Sequence, residues 1–303
     1  MASLREIKDR IGSVRSTLKI TSAMKLVASA KLRKAQKAIE ALRPYERTLA
    51  DILAAVGSGM ESSAAESCRR AGSPNRQAVT AIVAIASNSS LCGGFNANVA
   101  RKALETIRAC EGEVEVYPLG RKMAEALRRA GYVAGADYND LVAHPAYEKS
   151  SALARSLSGR FRAGELSRVV LVYTRFVSAS SQVPVAEVWL GTEVPGQARD
   201  DYDAARPESF RQKPESPSGN DEYLLEPDAE QLVATLLPQV LMLKFYAAIL
   251  DSLAAEHAAR TLAMQTASDN AEDLLGELTL EYNKGRQQKI TAEILDLLGG
   301  AAE

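Results

Sequence analysis

The chain has 303 residues, 46% of them hydrophobic and 25% charged, with a formal net charge of −1 at pH 7. That balance excludes a disordered or collagenous chain and supplies apolar surface for one large or two ordinary domains. The near-neutral total hides a polarised molecule: residues 1–50 hold 12 Lys and Arg against 4 Asp and Glu, residues 222–303 hold 5 against 14, and the middle is even.

The three cysteines, Cys68, Cys92 and Cys110, are odd in number and lack C-x-x-C spacing. Neither a disulfide framework nor a zinc site is indicated, and a reduced cytosolic compartment is expected. The opening MASLREIKDRI has no apolar run behind its basic residues, and no segment reaches about 20 uninterrupted apolar residues. The richest stretch, residues 232–250, contains Pro238 and Lys244, so no membrane crossing is expected. With only 5% aromatics, any long helices must pack through Ala, Leu and Val.

In chain order, Ser3 with Glu6 three residues later forms a capping box for a helix from Leu4 into the fifties, with Pro44 placed to kink or weaken it. This helix carries a heptad seam: Leu4, Ile7, Ile11, Val14, Leu18, Thr21, Lys25, Ala28, Leu32, Ala35, Ile39 and Leu42, interrupted only by Thr21 and Lys25. Residues 1–56 therefore read as an N-terminal coiled-coil helix, followed by a stretch to Pro74 that the pattern leaves unassigned.

Residues 78–194 change period. AVTAIVAIA at 78–86 is a short continuous apolar run, as in a strand buried on both faces, and it ends in the turn-rich SNSSLCGGFN. A helix to about Ala109, a strand at 114–120, helices over 121–130 and about 145–163, and a strand at 168–176 follow. The alternation predicts an α/β domain with a partly parallel sheet, and 183–191 adds a fourth strand, antiparallel at an edge. Residues 195–227, with five prolines, read as a linker or mobile loop.

Residues 228–303 predict a second, longer helix with its own seam: Val233, Leu236, Val240, Leu243, Ala247, Leu250, Ala254, His257, Thr261, Met264, Ser268, Ala271, Leu275, Leu278 and Tyr282. A seam sustained over so many heptads requires a partner helix, and the oppositely charged terminal helices suit each other. The fold class is α/β, with a long antiparallel coiled coil of the two ends and an inserted Rossmann-like domain. Because the second helix is longer by some 20 residues, its C-terminal end should project. There Ile290, Ile294, Leu297 and Leu298 form an apolar stripe in a shifted phase, which another molecule must cover.

Chemistry-bearing motifs are sparse. LCGG after the first buried strand matches neither G-x-G-x-x-G nor the P-loop and reads as tight strand-to-helix packing. His144 and His257 lie far apart with no Ser or Cys motif beside them, which points away from catalysis or metal binding, and His257 reads as a polar register marker on the seam. The basic residues Lys31, Arg33, Lys34 and Lys37 lack interleaved aromatics, so a solvated or acid-facing helix surface is expected rather than nucleic-acid binding.

The stretches ITSAMKLVASAKLRKAQ (20–36), SLCGGFN (90–96), EHAARTLAMQTASDNA (256–271) and LTLEYNKGRQQKITAEI (278–294) resemble the gamma subunit of F-type ATP synthases, and the order of elements fits that family over the whole length. The resemblance implies a non-catalytic central rotor shaft without a cofactor. Such a shaft turns inside a hexamer of alpha and beta subunits and couples proton flow to ATP synthesis or hydrolysis. Its expected partners are alpha, beta, epsilon and the c-ring, and its place is peripheral, on the cytoplasmic face of a bacterial cell membrane. It also implies roles for matching residues. Met24 and Lys25 form a neck facing an acidic beta-subunit lever, Glu256 and Arg260 a polar pair nearby, and Arg286, Gln287 and Thr291 a group that hydrogen-bonds a beta-subunit loop. Ile290, Ile294, Leu297 and Leu298 then form the tip bearing. Three departures stand out: Asn88-Ser89-Ser90 where the family commonly has Asp-Arg-Gly, Gly285 for a common Ala, and Thr261 for a common Met.

Overall fold

Ser3 and Glu6 start the first helix by capping each other: the Glu6 amide donates to the Ser3 hydroxyl at 3.3 Å, and the Ser3 amide to the Glu6 carboxylate at 3.0 Å. The helix, α1 (Leu4–Ser58), runs through Pro44 without ending. The computed structural model describes residues 3–58, 79–110, 112–133, 136, 138–191 and 229–300. The expected linker at 195–227 and residues 59–74 of the unassigned stretch lie outside them, whereas Gly57 and Ser58, expected to begin that loop, continue α1.

After α1 come β1 (Val79–Ile85), α2 (Phe95–Ala109), β2 (Val114–Leu119), α3 (Arg121–Arg129), α4 (Asn139–Ala143), α5 (Tyr147–Arg162), β3 (Leu166–Phe176), β4 (Gln182–Leu190) and α6 (Ala229–Gly300). Among the described residues, the short α4 is the element the sequence pattern did not show. The chain divides into two compact units, Met1–Ala30 with Arg260–Glu303, and Lys31–Ala259.

In the first unit the ends of α1 and α6 run antiparallel. The Thr21 hydroxyl lies 2.8 Å from the Ser268 hydroxyl, and a methyl on Gly285 would stand 3.0 Å from Leu4 Cδ2, so rising numbers on one helix meet falling numbers on the other. Ile7, Ala28, Met264, Ala271 and Leu278 fill the space between. Thr21, an interruption in the apolar pattern, is thus matched by a polar partner. The seam also runs one position further than expected, because Gly285 is covered by Leu4. An alanine there would gain about 1 kcal/mol of helix propensity but crowd that leucine.

The second unit is a three-layer α/β domain traversed by the remaining parts of both helices. Its sheet has the order β2-β1-β3-β4, with β1 parallel to β2 and β3, and β4 antiparallel at the edge. β1 is apolar without alternation because both of its faces are covered. Ile82 and Ala84 pack with Val99, Ala103 and Ile107 of α2 and Met123 and Leu127 of α3. Ala81, Val83 and Ile85 pack with Leu153, Leu157 and Phe161 of α5 and with Phe245 and Ile249 of α6. Trp189 of β4 fastens α6 further, its indole N–H donating to the Leu241 carbonyl at 2.9 Å and its ring lying 5.3 Å from Phe245.

The α1–α6 seam continues in this unit. Leu32, Ala35 and Ile39 share a core with Leu250, Ala254 and Ala258, and Leu49 with Val240 and Leu243. By length and apolar composition alone α6 passes for a membrane-crossing helix, yet Val240, Leu243, Phe245, Ile249 and Leu250 are buried in these cores. At the far edge the Arg160 guanidinium of α5 bonds Glu115 of β2 at 2.9 Å and Glu165 at 2.8 Å, holding the Glu115 carboxyl below its usual range.

Thr21→Val should lower the unfolding free energy by about 1–3 kcal/mol, because the buried Ser268 hydroxyl loses its cross-helix partner. Adding Ser268→Ala should recover much of that loss. Urea unfolding of both variants checks this, and strictly additive losses would refute the pairing.

Candidate interaction site

Past Gly285 no residue of α1 remains to cover α6, since α1 begins at Leu4. The 15 residues to Gly300 extend the helix by about 22 Å at 1.5 Å each. Their described side chains are solvent-exposed: Ile290 by 46%, Ile294 by 51% and Leu295 by 62%. Ile290 and Ile294 are one turn apart on the same face. Leu295, next to Ile294 in the chain, is exposed as well and was not among the residues named from the sequence. The side chains of Leu297 and Leu298 lie outside the described residues.

Arg286, Gln287 and Thr291 are exposed on the same segment. The Thr291 hydroxyl donates to the Gln287 carbonyl at 2.9 Å, which leaves its lone pairs open, while the Arg286 guanidinium and the Gln287 amide offer donors. This surface combines uncovered aliphatic carbon with a donor-rich polar cluster. It is equipped to bind, and it carries no nucleophile paired with a base.

The other expected contact residues are placed differently from one another. Met24 and Lys25 are half-buried, and beside them on α1 the aliphatic side chains of Ile20, Leu26 and Val27 are exposed. The signal for those three was present in the sequence as apolar residues off the seam. Arg260 is half-buried, whereas Glu256, at 6% exposure, is part of the second unit's own interior. His257 is buried on the seam. The structure brings Arg286, Gln287, Thr291, Ile290 and Ile294 onto one short segment.

The LCGG turn is consumed by packing. The Asn96 side chain accepts from the Ser87 amide at 3.1 Å and donates to the Ser89 carbonyl and the Cys92 sulfur, each at 3.1 Å. Leu91 and Gly93 take positive φ to make the turn, which buries Cys92 and Phe95 against Ala255 and Ala259 of α6. Asn88, at the first departure from the family pattern, ties three elements together. Its side-chain oxygen accepts the Arg121 amide at 2.9 Å and its side-chain nitrogen donates to the Asn139 carbonyl at 2.8 Å. Among the described residues, no group of three or more His, Cys, Asp or Glu is arranged to hold a metal ion.

A family model described as ATP synthase matches residues 3–302. The ATP synthase gamma chain of Bacteroides thetaiotaomicron is 44% identical over 310 residues, covering 100% of both chains. This chain belongs to the ATP synthase gamma-chain family. Two chains from Euglena gracilis mitochondrial ATP synthase structures share its fold. One, from a structure of the rotor in rotational state 1, has a TM-score of 0.58 at 16% identity and covers 95% of this chain and 98% of its own. The other, from a structure of OSCP, F1 and the c-ring in rotational state 3, has a TM-score of 0.62 at 17% identity and covers 99% and 93%.

Asn88→Ala removes both of its side-chain bonds and should cost about 1–3 kcal/mol of stability. Hydrogen exchange should quicken in Asn139–Ala143 before it does in β1, which is the measurement that checks the tie.

Proposed function

We propose that this chain is the central rotor shaft of a proton-translocating ATP synthase. On this reading α1 and α6 form a coiled coil that turns within a hexamer of alpha and beta subunits and couples ion flow to ATP synthesis or hydrolysis. The epsilon subunit and c-ring meet the α/β domain, and the assembly sits peripherally on the cytoplasmic face of the cell membrane. The observation that carries the reading is the C-terminal segment of α6, whose exposed Ile290, Ile294 and Leu295 stand beside Arg286, Gln287 and Thr291. A helix that leaves aliphatic side chains in water at one end is built to be covered by another protein.

The two halves of that surface suit different tasks. Apolar contact is non-directional and tolerates sliding, so Ile290 and Ile294, with Leu297 and Leu298 beyond them, act as a bearing. A guanidinium fork fixes an orientation, so Arg286 with Gln287 and Thr291 acts as a grip. At the neck Met24 and Lys25, flanked by exposed Ile20 and Val27, present an apolar and basic patch suited to an acidic lever. Arg260 and Glu256 lie in the polar stretch of α6 that the family associates with the neck, and the burial of Glu256 makes its part internal support.

Co-purification with alpha and beta subunits tests the assembly, and steady-state ATPase of the reconstituted complex tests the residues. Arg286→Ala with Gln287→Ala should reduce turnover by roughly tenfold, the equivalent of about 1.4 kcal/mol, and by more than Ile294→Ala does. Wild-type turnover in fully assembled material would remove the grip. Lys25→Glu should slow turnover, with relief at high salt because exposed charges are screened. Since Lys25 is half-buried on the seam, Lys25→Gln serves as the control for helix pairing.

A further inference from the structure

The α/β unit ends in a basic rim. In the order β1-α2-β2-α3 the strands are parallel and both helices lie on one face, so each helix runs back against the strands and finishes where β1 and β2 begin. At the other end of the sheet the LCGG turn packs against Ala255 and Ala259, the last residues of α6 in this unit. The rim therefore lies away from the place where α6 leaves the domain.

Both helices are basic. Lys and Arg outnumber Glu by three to one on α2 and by four to one on α3. Val99, Ala103 and Ile107 of α2 and Met123 and Leu127 of α3 hold the helices on the sheet, which turns Arg101, Arg108, Arg121 and Arg129 outward. Part of this charge is engaged: Arg121 and Lys122 meet Glu125, and Arg101 donates to Asn98. Arg108, Arg128 and Arg129, in the last turns, are exposed and ion-pair with no described residue. Of the described carboxylates around the starts of β2 and β3, Glu115 and Glu165 are held by Arg160, which leaves Glu113.

Basic last turns alone are ordinary helix electrostatics. The side chain beside them is not. Gly131, at φ 90°, stops α3, and the Tyr132 amide closes the cap on the Leu127 carbonyl at 3.0 Å. Tyr132 packs back onto the core of that face, and the next residue, Val133, is 88% exposed, more than any other large apolar side chain among the described residues. An acidic protein surface would answer the arginines and leave Val133 unserved. An anionic bilayer answers both, because its phosphates take guanidinium forks while its headgroup region admits a short aliphatic side chain and the edge of a phenol ring.

We propose that this rim, with Arg108, Arg128, Arg129 and Val133 as its contact residues, docks directly on the anionic phospholipid surface of a bilayer. The contact is a charge attraction with one shallow apolar anchor, so it is reversible and weakened by salt. It gives the α/β domain a lipid contact of its own. It rests on the charge and exposure of the rim, and its failure would leave the shaft reading untouched.

The test uses the full-length chain with vesicles of phosphatidylcholine alone or of equal parts phosphatidylcholine and phosphatidylglycerol, and measures bound protein by sedimentation. Binding is expected on the anionic vesicles only, with release at high salt. An arginine near such a surface is worth roughly fivefold, so Arg128→Gln with Arg129→Gln should weaken binding by about 25-fold at an unchanged melting temperature. Lys31→Gln with Arg33→Gln, exposed on α1, controls for the chain's other basic stretch and should weaken it far less. Val133→Trp reports depth: its emission should move to the blue on anionic vesicles, while that of the wild type, whose one tryptophan is the buried Trp189, stays in place. No binding to anionic vesicles, equal losses from the rim and α1 substitutions, or an unshifted Val133→Trp emission overturns the proposal. An unshifted emission together with retention on immobilised polyglutamate would assign the rim to an acidic protein instead.

Discussion

The architecture depends on a seam of small apolar side chains between two helices that cannot exist separately. A lone amphipathic helix in water leaves its stripe exposed, and its length does not remedy that. Here every seam position named from the sequence is buried or half-buried, from Leu4 to Leu42 on α1 and from Val233 to Tyr282 on α6. Alanine does much of the work: Ala28, Ala35, Ala254, Ala258 and Ala271 are each under 9% exposed. Small side chains bring the backbones close, so burial comes from many short contacts rather than a few large rings.

The α/β domain uses the same helices as a wall. Phe245 and Ile249 of α6 complete the core under the sheet, while Leu250 and Ala254, one residue further round, complete the seam with α1. One helix thus supplies two faces to two partners. That is why residues 232–250 look apolar enough for a membrane without being lipid-facing. Two polar groups placed in this interior are answered in kind, Trp189 by the Leu241 carbonyl and Tyr173 by Glu187, while the buried Thr174 hydroxyl has no hydrogen-bond partner among the described residues.

Long-range order was readable where it follows a period. The heptads announced both helices, the capping box at Ser3 and Glu6 placed the start of α1, and the unalternated run at Val79–Ile85 announced a strand covered on both sides. What escaped was set by contacts between elements distant in sequence. The five-residue α4 has no periodicity to read and follows from packing of Leu141 and Val142 under the sheet. The Thr21–Ser268 bond joins residues 247 apart, so from either side it looked like a flaw in the seam. At the candidate site the aliphatic stripe and the donor cluster were legible as composition. That Glu256 lies inside while Leu295 lies outside was decided by which helix faces are covered, and a single chain's motif does not record that.

The exposed end of α6 has a physical peculiarity. A 15-residue peptide of that sequence would be marginal as an isolated helix, because forming the first turn is costly while each further residue is nearly neutral. Attached to a helix already held by Leu278 and Gly285, the segment pays no nucleation cost and only propagates. Its order is therefore borrowed from the pairing behind it, and its free energy of local opening is low at the end and rises toward Gly285. The glycine sits at the handover, where helix propensity is poor and where the Leu4 side chain occupies the space a methyl group would take. Leu4 packs over Gly285, and this sets the capped start of α1 beside the point from which the uncovered segment propagates.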